Sequence, residues 1–187
     1  WLTDDDEAFA VQIIQEYGLD PEKTVALCAG VLVDIRRYDH YGKALRPLCA
    51  EHGWSVIALG SDADSAAASQ QLKDTGAVKT VNLCGKTTIR QMAAVLRKCL
   101  ISLGAESGAA HLACAVGTPN VVLLGGGHFG RFMPYSPLTS VVCLPLECYG
   151  CSWQCRYATP HCVRAVKEDI MTEAIRRSLE ESTGKPR

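Results

Sequence analysis

The sequence predicts an α/β protein built on a doubly wound, parallel sheet of about six strands. Its short apolar runs, most of them closed by glycine, have the length and composition of buried strands. They comprise residues 24–30, 54–60, 79–85, 99–104, 120–126 and 140–145. Helical patterns separate these runs at intervals of about 20 to 30 residues, an alternation that is typical of a parallel sheet covered by helices on both faces.

The first helical pattern begins with a hydroxyl cap and an acidic turn. Thr3 precedes the acidic residues 4–6, where the helix dipole favours negative charge, and Gly18 marks the end of this helix. The later patterns cover residues 40–52, 64–75, 87–97 and 107–116, and a last helix covers 166–182. We therefore expect a single domain over residues 1–187, in which residues 1–20 form a linker and the first helix.

The composition excludes two classes of function. The chain has 187 residues, 48% of them hydrophobic, which is enough to fill one core. Its formal net charge is -1 and it has no basic block, so nothing in it predicts binding to nucleic acid. No apolar run reaches the roughly 18 residues that a membrane span requires. The acidic start "WLTDDDEAFA" is unlike a signal peptide, so we expect a cytoplasmic protein.

The cysteines fall into two groups. One group is scattered through apolar segments, as buried free thiols are: Cys28, Cys49, Cys84, Cys99 and Cys114. The other group, which includes Cys143, lies in residues 143–163, which we name the Cys-rich segment. Four of its thiols have the spacing C-x2-C-x3-C-x6-C, close enough to bind structural zinc or an iron–sulfur cluster. They are Cys148, Cys151, Cys155 and Cys162. Disulfides and free thiols are the alternatives, and His161 could replace one ligand.

One strand end predicts an anion site. The run 99–104 leads to Glu106, Ser107 and Gly108, which open the helix that carries His111. The first amides of a helix are free and its dipole is positive there, so this position suits a phosphate. Gly108 leaves room for close approach to the backbone, and the ring of His111 adds a donor one turn later. The alternative is a helix capped by Ser107, with a partly buried histidine bonded to the backbone.

Ligands of such sheets bind beyond the carboxyl ends of the strands, so the neighbouring loops carry further candidates. Arg36 and Arg37 follow the first strand and could clamp a pyrophosphate or form a solvated pair. The stretch "GGGHFG" (125–130) formally matches a dinucleotide fingerprint. Pro134 and Pro137 stand where the helix of that fingerprint should run, so we expect a flexible loop instead.

Two more loops offer polar side chains at the same edge. Asp62 follows the second strand, where a carboxylate could accept a hydrogen bond from a ribose or a base. Either Asp62 or Asp64 could instead cap a helix. Thr87 and Thr88 lie at the junction between the third strand and its helix, and one of them could serve only as a cap.

Several of these motifs together resemble the carboxyl-terminal domain of glycosyltransferase family 9. The matching segments are "LCAG" with the basic and aromatic residues after it, "GKTTIRQMAAVL", "ESGAAHLACAVGTPNVVLLG" and "CYGCSWQC". The resemblance implies a Rossmann-like half of a GT-B enzyme that binds a nucleotide-diphosphate sugar, typically ADP-heptose. It further implies inverting, metal-independent transfer in the synthesis of lipopolysaccharide or another surface glycan. The catalytic base and the glycan or glycolipid acceptor would belong to an amino-terminal domain.

The resemblance also assigns roles to residues of this chain. Those implied to hold the diphosphate and the sugar are Glu106, Ser107, Gly108 and His111. Arg36 or Arg37 would neutralise phosphate, Asp62 would lie near the ribose, and Thr87 would line the nucleoside pocket. The Cys-rich segment would act as a structural staple.

The chain departs from the family pattern at three points. The family usually has Asp at the position of Glu106, and Lys and Trp where this chain has Arg36 or Arg37 and Tyr38. The chain also begins where the linker and first helix of the donor domain would begin, so we expect the acceptor domain to be absent from it. The full protein would work in the cytoplasm, peripherally at the inner membrane face, because the acceptors of the family are lipid-linked.

Three other interpretations stay open. The chain could be a non-catalytic nucleotide-sugar-binding module of a larger protein. It could be an interaction domain that depends on a metal in the Cys-rich segment. It could also be half of a GT-B epimerase.

Overall fold

The structure is a computed structural model that describes residues 1–129, 131–133 and 136–183. Its strands are β1 (Thr24–Cys28), β2 (Ser55–Ala58), β3 (Thr80–Asn82), β4 (Ile101–Ala105), β5 (Asn120–Leu123) and β6 (Thr139–Val142). They form one sheet of 6 strands in the order β3-β2-β1-β4-β5-β6, and every neighbouring pair is parallel. Each strand overlaps one predicted apolar run, so the predicted fold class is confirmed.

The α-helices of the described residues are α1 (Asp4–Glu16), α2 (Tyr41–His52), α3 (Ser65–Thr75), α4 (Ile89–Arg97), α5 (Gly108–Ala115), α6 (His161–Arg164) and α7 (Glu168–Thr183). All except α6 were predicted to within about two residues at each end. The single turn α6 lies in the Cys-rich segment, where no apolar period indicates a helix. Among the described residues, no helix is both long and apolar enough to cross a membrane.

Helices cover both faces of the sheet. The helices α2, α3 and α7 pack on one face, and α1, α4 and α5 pack on the other. In β1, Val25 and Leu27 belong to the first apolar cluster, whereas Ala26 and Cys28 belong to the second. Because successive side chains of a strand point to opposite faces, a strand buried on both sides needs an apolar residue at every position.

The start of α1 confirms the predicted hydroxyl cap. Asp6 Oδ2 accepts hydrogen bonds from the amide of Thr3 at 2.9 Å and from its hydroxyl at 2.8 Å. The amide of Asp6 in turn donates to Thr3 Oγ1 at 3.3 Å. This capping box satisfies two backbone donors at the helix start. The hydrogen bonds from Thr3 hold the pKa of Asp6 below its usual value, because they stabilise the carboxylate.

The strand order places the loops after β1 and β4 next to each other at the carboxyl edge. The chain runs outward from β1 to β3, and then returns to begin β4 beside β1. Such a switch in direction opens a crevice beyond the strand ends. The two strands are close at this point, since a β-carbon added to Gly104 would lie 2.2 Å from the carbonyl oxygen of Cys28.

We expect Gly104→Ala to lower the free energy of unfolding by about 1–3 kcal/mol, because its methyl group would collide with the backbone of β1. Gly108→Ala is the matched control, since its β-carbon would meet no atom within 4 Å. This control should leave stability unchanged or raise it by up to about 1 kcal/mol. Urea unfolding measures both effects, and an equal loss in the two variants would contradict the expectation.

Candidate functional site

A cavity of about 320 Å³ opens at the carboxyl edge, between the loops that follow β1, β2, β3 and β4. Its lining includes Gly30, Gly60, Asp64, Thr87 and Ser107. The fold thus brings the threonine and the serine of two separate motifs into one cavity. A larger groove of about 660 Å³ lies between β6 and α7, and none of the predicted binding residues lines it.

The start of α5 has the features of an anion site. Ser107 is the N-cap in an extended conformation, but its hydroxyl makes no capping hydrogen bond, so the prediction that its side chain caps the helix is wrong. Within the described residues, no acceptor pairs with the amides of Gly108 and Ala109. Space is open in front of Gly108, and Ala109 lines the cavity. The serine hydroxyl and two amides are therefore free to bind a ligand.

His111 is exposed on α5, one turn after Gly108. Its ring has no hydrogen-bond partner in the part of the chain that the structure describes, and it does not line the cavity. The alternative prediction of a partly buried histidine bonded to the backbone is therefore wrong. The role in holding the diphosphate or sugar stays a prediction.

Glu106 has a buried carboxylate that two side chains share. Glu106 Oε2 lies 3.0 Å from Arg36 Nη2 and 2.8 Å from His128 Nδ1. Arg36 Nη2 also donates to the carbonyl oxygen of Glu106. The guanidinium of Arg36 lies 5.5 Å from the ring centroid of Trp153. We name these four residues the Glu106 cluster. In this cluster the predicted ligand contact of Glu106 competes with two contacts inside the protein.

The two adjacent arginines have different surroundings. The side chain of Arg36 is 14% exposed and points to the Glu106 cluster, whereas that of Arg37 is 47% exposed. Arg37 Nε pairs with Asp34 Oδ1 at 3.1 Å on the surface. The prediction of a solvated side chain is confirmed for Arg37, whereas Arg36 lies beside the start of α5 and its contact with a phosphate stays a prediction.

The acidic residue at the cavity is Asp64. Its Oδ2 accepts hydrogen bonds from the amide and hydroxyl of Ser61, at 2.9 and 2.6 Å, so it completes the capping box of the turn Asp62–Asp64. A β-carbon at Gly30 would lie 2.4 Å from Asp64 Oδ2, which shows how closely the carboxylate approaches the loop after β1. Asp62 itself is exposed beside Gly85 and outside the cavity lining.

Thr87 and Thr88, which follow β3, have different positions in the structure. Thr88 is the N-cap of α4, and its Oγ1 accepts from the amide of Gln91 at 3.2 Å. Thr87 precedes the cap and lines the cavity. The sequence did not decide which of the two threonines caps α4, and the structure shows that it is Thr88.

The glycine-rich stretch after β5 packs against the Cys-rich segment. Residues Gly126–His128 form one 3₁₀ turn, not the start of a dinucleotide-binding helix. A β-carbon at Gly125 or Gly127 would lie 2.3 Å from the ring of Trp153, so the glycines allow this ring to cover the loop. Pro134 and Gly130 lie outside the described residues. The loop is expected from the sequence, but its contact with Trp153 is not.

Two residues beside the site, His128 and Trp153, were not predicted from single motifs. The sequence could have indicated His128 as a site residue, because it follows a strand at the carboxyl edge, where ligands bind. It could not have indicated Trp153, because the position of that ring depends on how the Cys-rich segment folds back over the loop.

The cysteines of the described residues are all free thiols. Burial raises the pKa of Cys28 and Cys99, and Cys114 is half-buried rather than buried. Burial also raises the pKa of Cys162, to which its neighbours Cys148, Cys151 and Cys155 add a further rise. Within the described ranges, however, no three His, Cys, Asp or Glu side chains are arranged to hold one metal ion. Structural zinc or an iron–sulfur cluster at these cysteines stays a prediction.

The strand order, the helices on both faces and the open helix start at the carboxyl edge define a Rossmann-like domain, of the type that forms half of a GT-B glycosyltransferase. The model of one family, glycosyltransferase family 9 (heptosyltransferase), matches residues 3–161. The chain belongs to this family. A search of curated proteins found no match.

Three solved structures share the fold. The family 9 glycosyltransferase from Veillonella parvula is 18% identical with a TM-score of 0.81, over 97% of this chain and 53% of that chain. The E. coli ADP-heptose lipopolysaccharide heptosyltransferase II is 20% identical with a TM-score of 0.76, over 98% and 54%. The E. coli heptosyltransferase WaaC with ADP is 16% identical with a TM-score of 0.68, over 90% and 48%. The chain spans about half the length of these proteins.

The two arginines provide a test of the buried ion pair. We expect Arg36→Ala to lower the free energy of unfolding by about 2–4 kcal/mol, because it removes one partner of a buried carboxylate. Arg37→Ala should cost less than about 1 kcal/mol, since its ion pair is exposed. Urea unfolding of both variants measures the difference. Equal stability of the two would show that the Glu106 cluster does not hold the site together.

The predicted metal requires a separate measurement. Elemental analysis of the chain, purified without chelator under reducing conditions, should find zinc or iron in stoichiometric amount. Cys148→Ser should lose the metal, whereas Cys143→Ser should keep it, because Cys143 is exposed and outside the predicted ligand set. A metal-free chain would contradict the prediction.

Proposed function

We propose that the chain is the donor-binding half of an inverting, metal-independent glycosyltransferase that transfers a heptosyl or hexosyl group. The donor would be a nucleotide-diphosphate sugar, with ADP-heptose favoured, and the product a lipopolysaccharide or another surface glycan. The observation that carries the proposal is the start of α5, where Ser107, Gly108 and Ala109 offer unpaired donors beside a cavity.

The chemistry of glycosyl transfer fits this arrangement. When the sugar leaves its nucleotide, negative charge develops on the departing diphosphate. Fixed amides at a helix start, the positive end of the helix dipole and the guanidinium of Arg36 would stabilise that charge without having to reorganise. The cavity volume of about 320 Å³ suits the nucleoside, which Thr87 and Asp64 would contact.

Catalysis would require residues beyond these. We assign the acceptor and the catalytic base to a second domain of the full protein, because the chain spans only about half the length of the structures that it matches. The enzyme would work in the cytoplasm, at the inner face of the membrane, where a lipid-linked acceptor is accessible.

One observation favours a second candidate function. Glu106 stands where the resemblance expects Asp, and its carboxylate is already paired with Arg36 and His128. A site whose carboxylate does not reach the sugar would bind the nucleotide without transferring from it. Such a non-catalytic module would bind ADP and ADP-heptose with equal affinity.

The proposed donor site can be tested by thermal unfolding with ADP, UDP, GDP, CMP and ADP-heptose. A ligand that binds only the native chain at about 100 times Kd should stabilise it by about 2.7 kcal/mol. We expect this stabilisation with one nucleoside diphosphate. Gly108→Ala should abolish most of it without loss of stability in the ligand-free chain, because the new methyl group would occupy the space in front of the amides.

A second pair of variants controls for the histidine. His111→Ala should reduce the shift, whereas His52→Ala, at the end of α2, should leave it unchanged. The proposal is overturned if none of the five ligands stabilises the wild-type chain.

A further inference from the structure

His128 of the Glu106 cluster has no part in the function proposed above. Its Nδ1 lies 2.8 Å from Glu106 Oε2, and its ring is edge-on to Phe132 and Trp153, at centroid distances of 5.0 and 5.4 Å. These contacts fix the plane of the ring. The side chain is 25% exposed, and Nε2 has no hydrogen-bond partner within the described residues.

The contact with Glu106 occupies Nδ1 of His128 and leaves Nε2 available to bind a ligand. A carboxylate only accepts hydrogen bonds, so Nδ1 must carry a proton and donate it. The hydrogen bond at one ring nitrogen sets the state of the other, and Nε2 donates only when the ring is protonated. A negatively charged partner at Nε2 would accept that second hydrogen bond.

The positive charge around Glu106 is not balanced by the described side chains that contact it. Arg36 carries a full charge, and the start of α5 adds the positive end of a helix dipole. The carboxylate of Glu106 can neutralise one of these. Glu106 contacts the ring, and Arg36 lies across its carboxylate. An anion at this point would supply the missing negative charge.

A buried donor beside the same residues also lacks its partner. Trp153 Nε1 is buried and has no acceptor in the part of the chain that the structure describes. The ring of Trp153 contacts both the guanidinium of Arg36 and the ring of His128. Buried donors in folded proteins are nearly always paired, and a ligand oxygen at this point would satisfy Trp153 Nε1.

We propose that His128 is a further donor-binding residue, whose protonated ring donates from Nε2 to the sugar-bearing phosphate of a nucleotide-diphosphate sugar. Glu106 is then a positioning residue, which holds His128 and Arg36 on either side of one carboxylate. The inference rests on the proposed function, because it concerns a ligand of the same site. It assigns to Glu106 a role different from the direct ligand contact that the family resemblance implies.

The matched variants His128→Asn and His52→Asn test the inference in the 187-residue chain. The amide nitrogen of Asn can take the place of Nδ1 and keep the bond to Glu106, but it offers no donor at the position of Nε2. Calorimetric titration should therefore show ADP bound about tenfold more weakly by His128→Asn, since a hydrogen bond to a charged group is lost. The affinity for AMP, which lacks the second phosphate, should be unchanged. His52→Asn should match the wild type with both ligands.

A second measurement does not depend on the folding of a variant. Ring-nitrogen NMR of the wild-type chain should show both nitrogens of His128 protonated in the ADP complex. A neutral ring in that complex, or equal ADP affinity of His128→Asn and wild type, overturns the inference. If the wild type binds neither ADP nor inorganic pyrophosphate, the result contradicts the proposed donor-binding function itself. Binding that is insensitive to His128 leaves the proposed function in place and removes only this inference.

Discussion

The carboxylate of Glu106 is the interaction on which the candidate site depends. Burying a charge costs several kcal/mol unless partners compensate it, and here the partners come from distant segments. Arg36 follows β1, Glu106 follows β4 and His128 follows β5. The contacts of one carboxylate therefore link the loops after three strands. Arg36 also lies against the ring of Trp153, so the cluster contacts the Cys-rich segment. One buried acid therefore links the loops after β1, β4 and β5 with that segment.

Most of the fold follows from local patterns that the sequence makes visible. The alternation of apolar runs and helical periods predicts the six parallel strands, because strands buried on both faces must be apolar throughout. The contacts within the site are harder to predict from local patterns. Arg36 and Glu106 were both expected at the carboxyl edge, but their pairing depends on the register of β1 against β4, in which Leu27 pairs with Leu103. The sequence of neither strand by itself indicates that register.

The glycine-rich loop shows why one motif can have two interpretations. Glycines at 125 and 127 satisfy the spacing of a dinucleotide fingerprint, yet in this fold they make room for the ring of Trp153. Ser152 and Trp153 both have positive φ angles, 51° and 65°, in a region that costs residues with side chains about 1–3 kcal/mol each. The packing of the ring on the glycines, Arg36 and His128 must offset that cost. Because those partners come from two other segments, the loops after β1 and β5, the position of Trp153 could not be predicted from the Cys-rich segment alone.

Residues at two positions that depart from the family pattern contact each other. The resemblance expects Asp where this chain has Glu106, and Lys where it has Arg36 or Arg37. Glu106 and Arg36 form an ion pair at 3.0 Å. The extra methylene of Glu lets its carboxylate reach away from the start of α5, towards Arg36 and His128. The guanidinium donates from Nη2 to both the carboxylate and the carbonyl oxygen of Glu106. Its remaining N–H groups stay available for a phosphate, so the two replacements together keep a cation at the helix start.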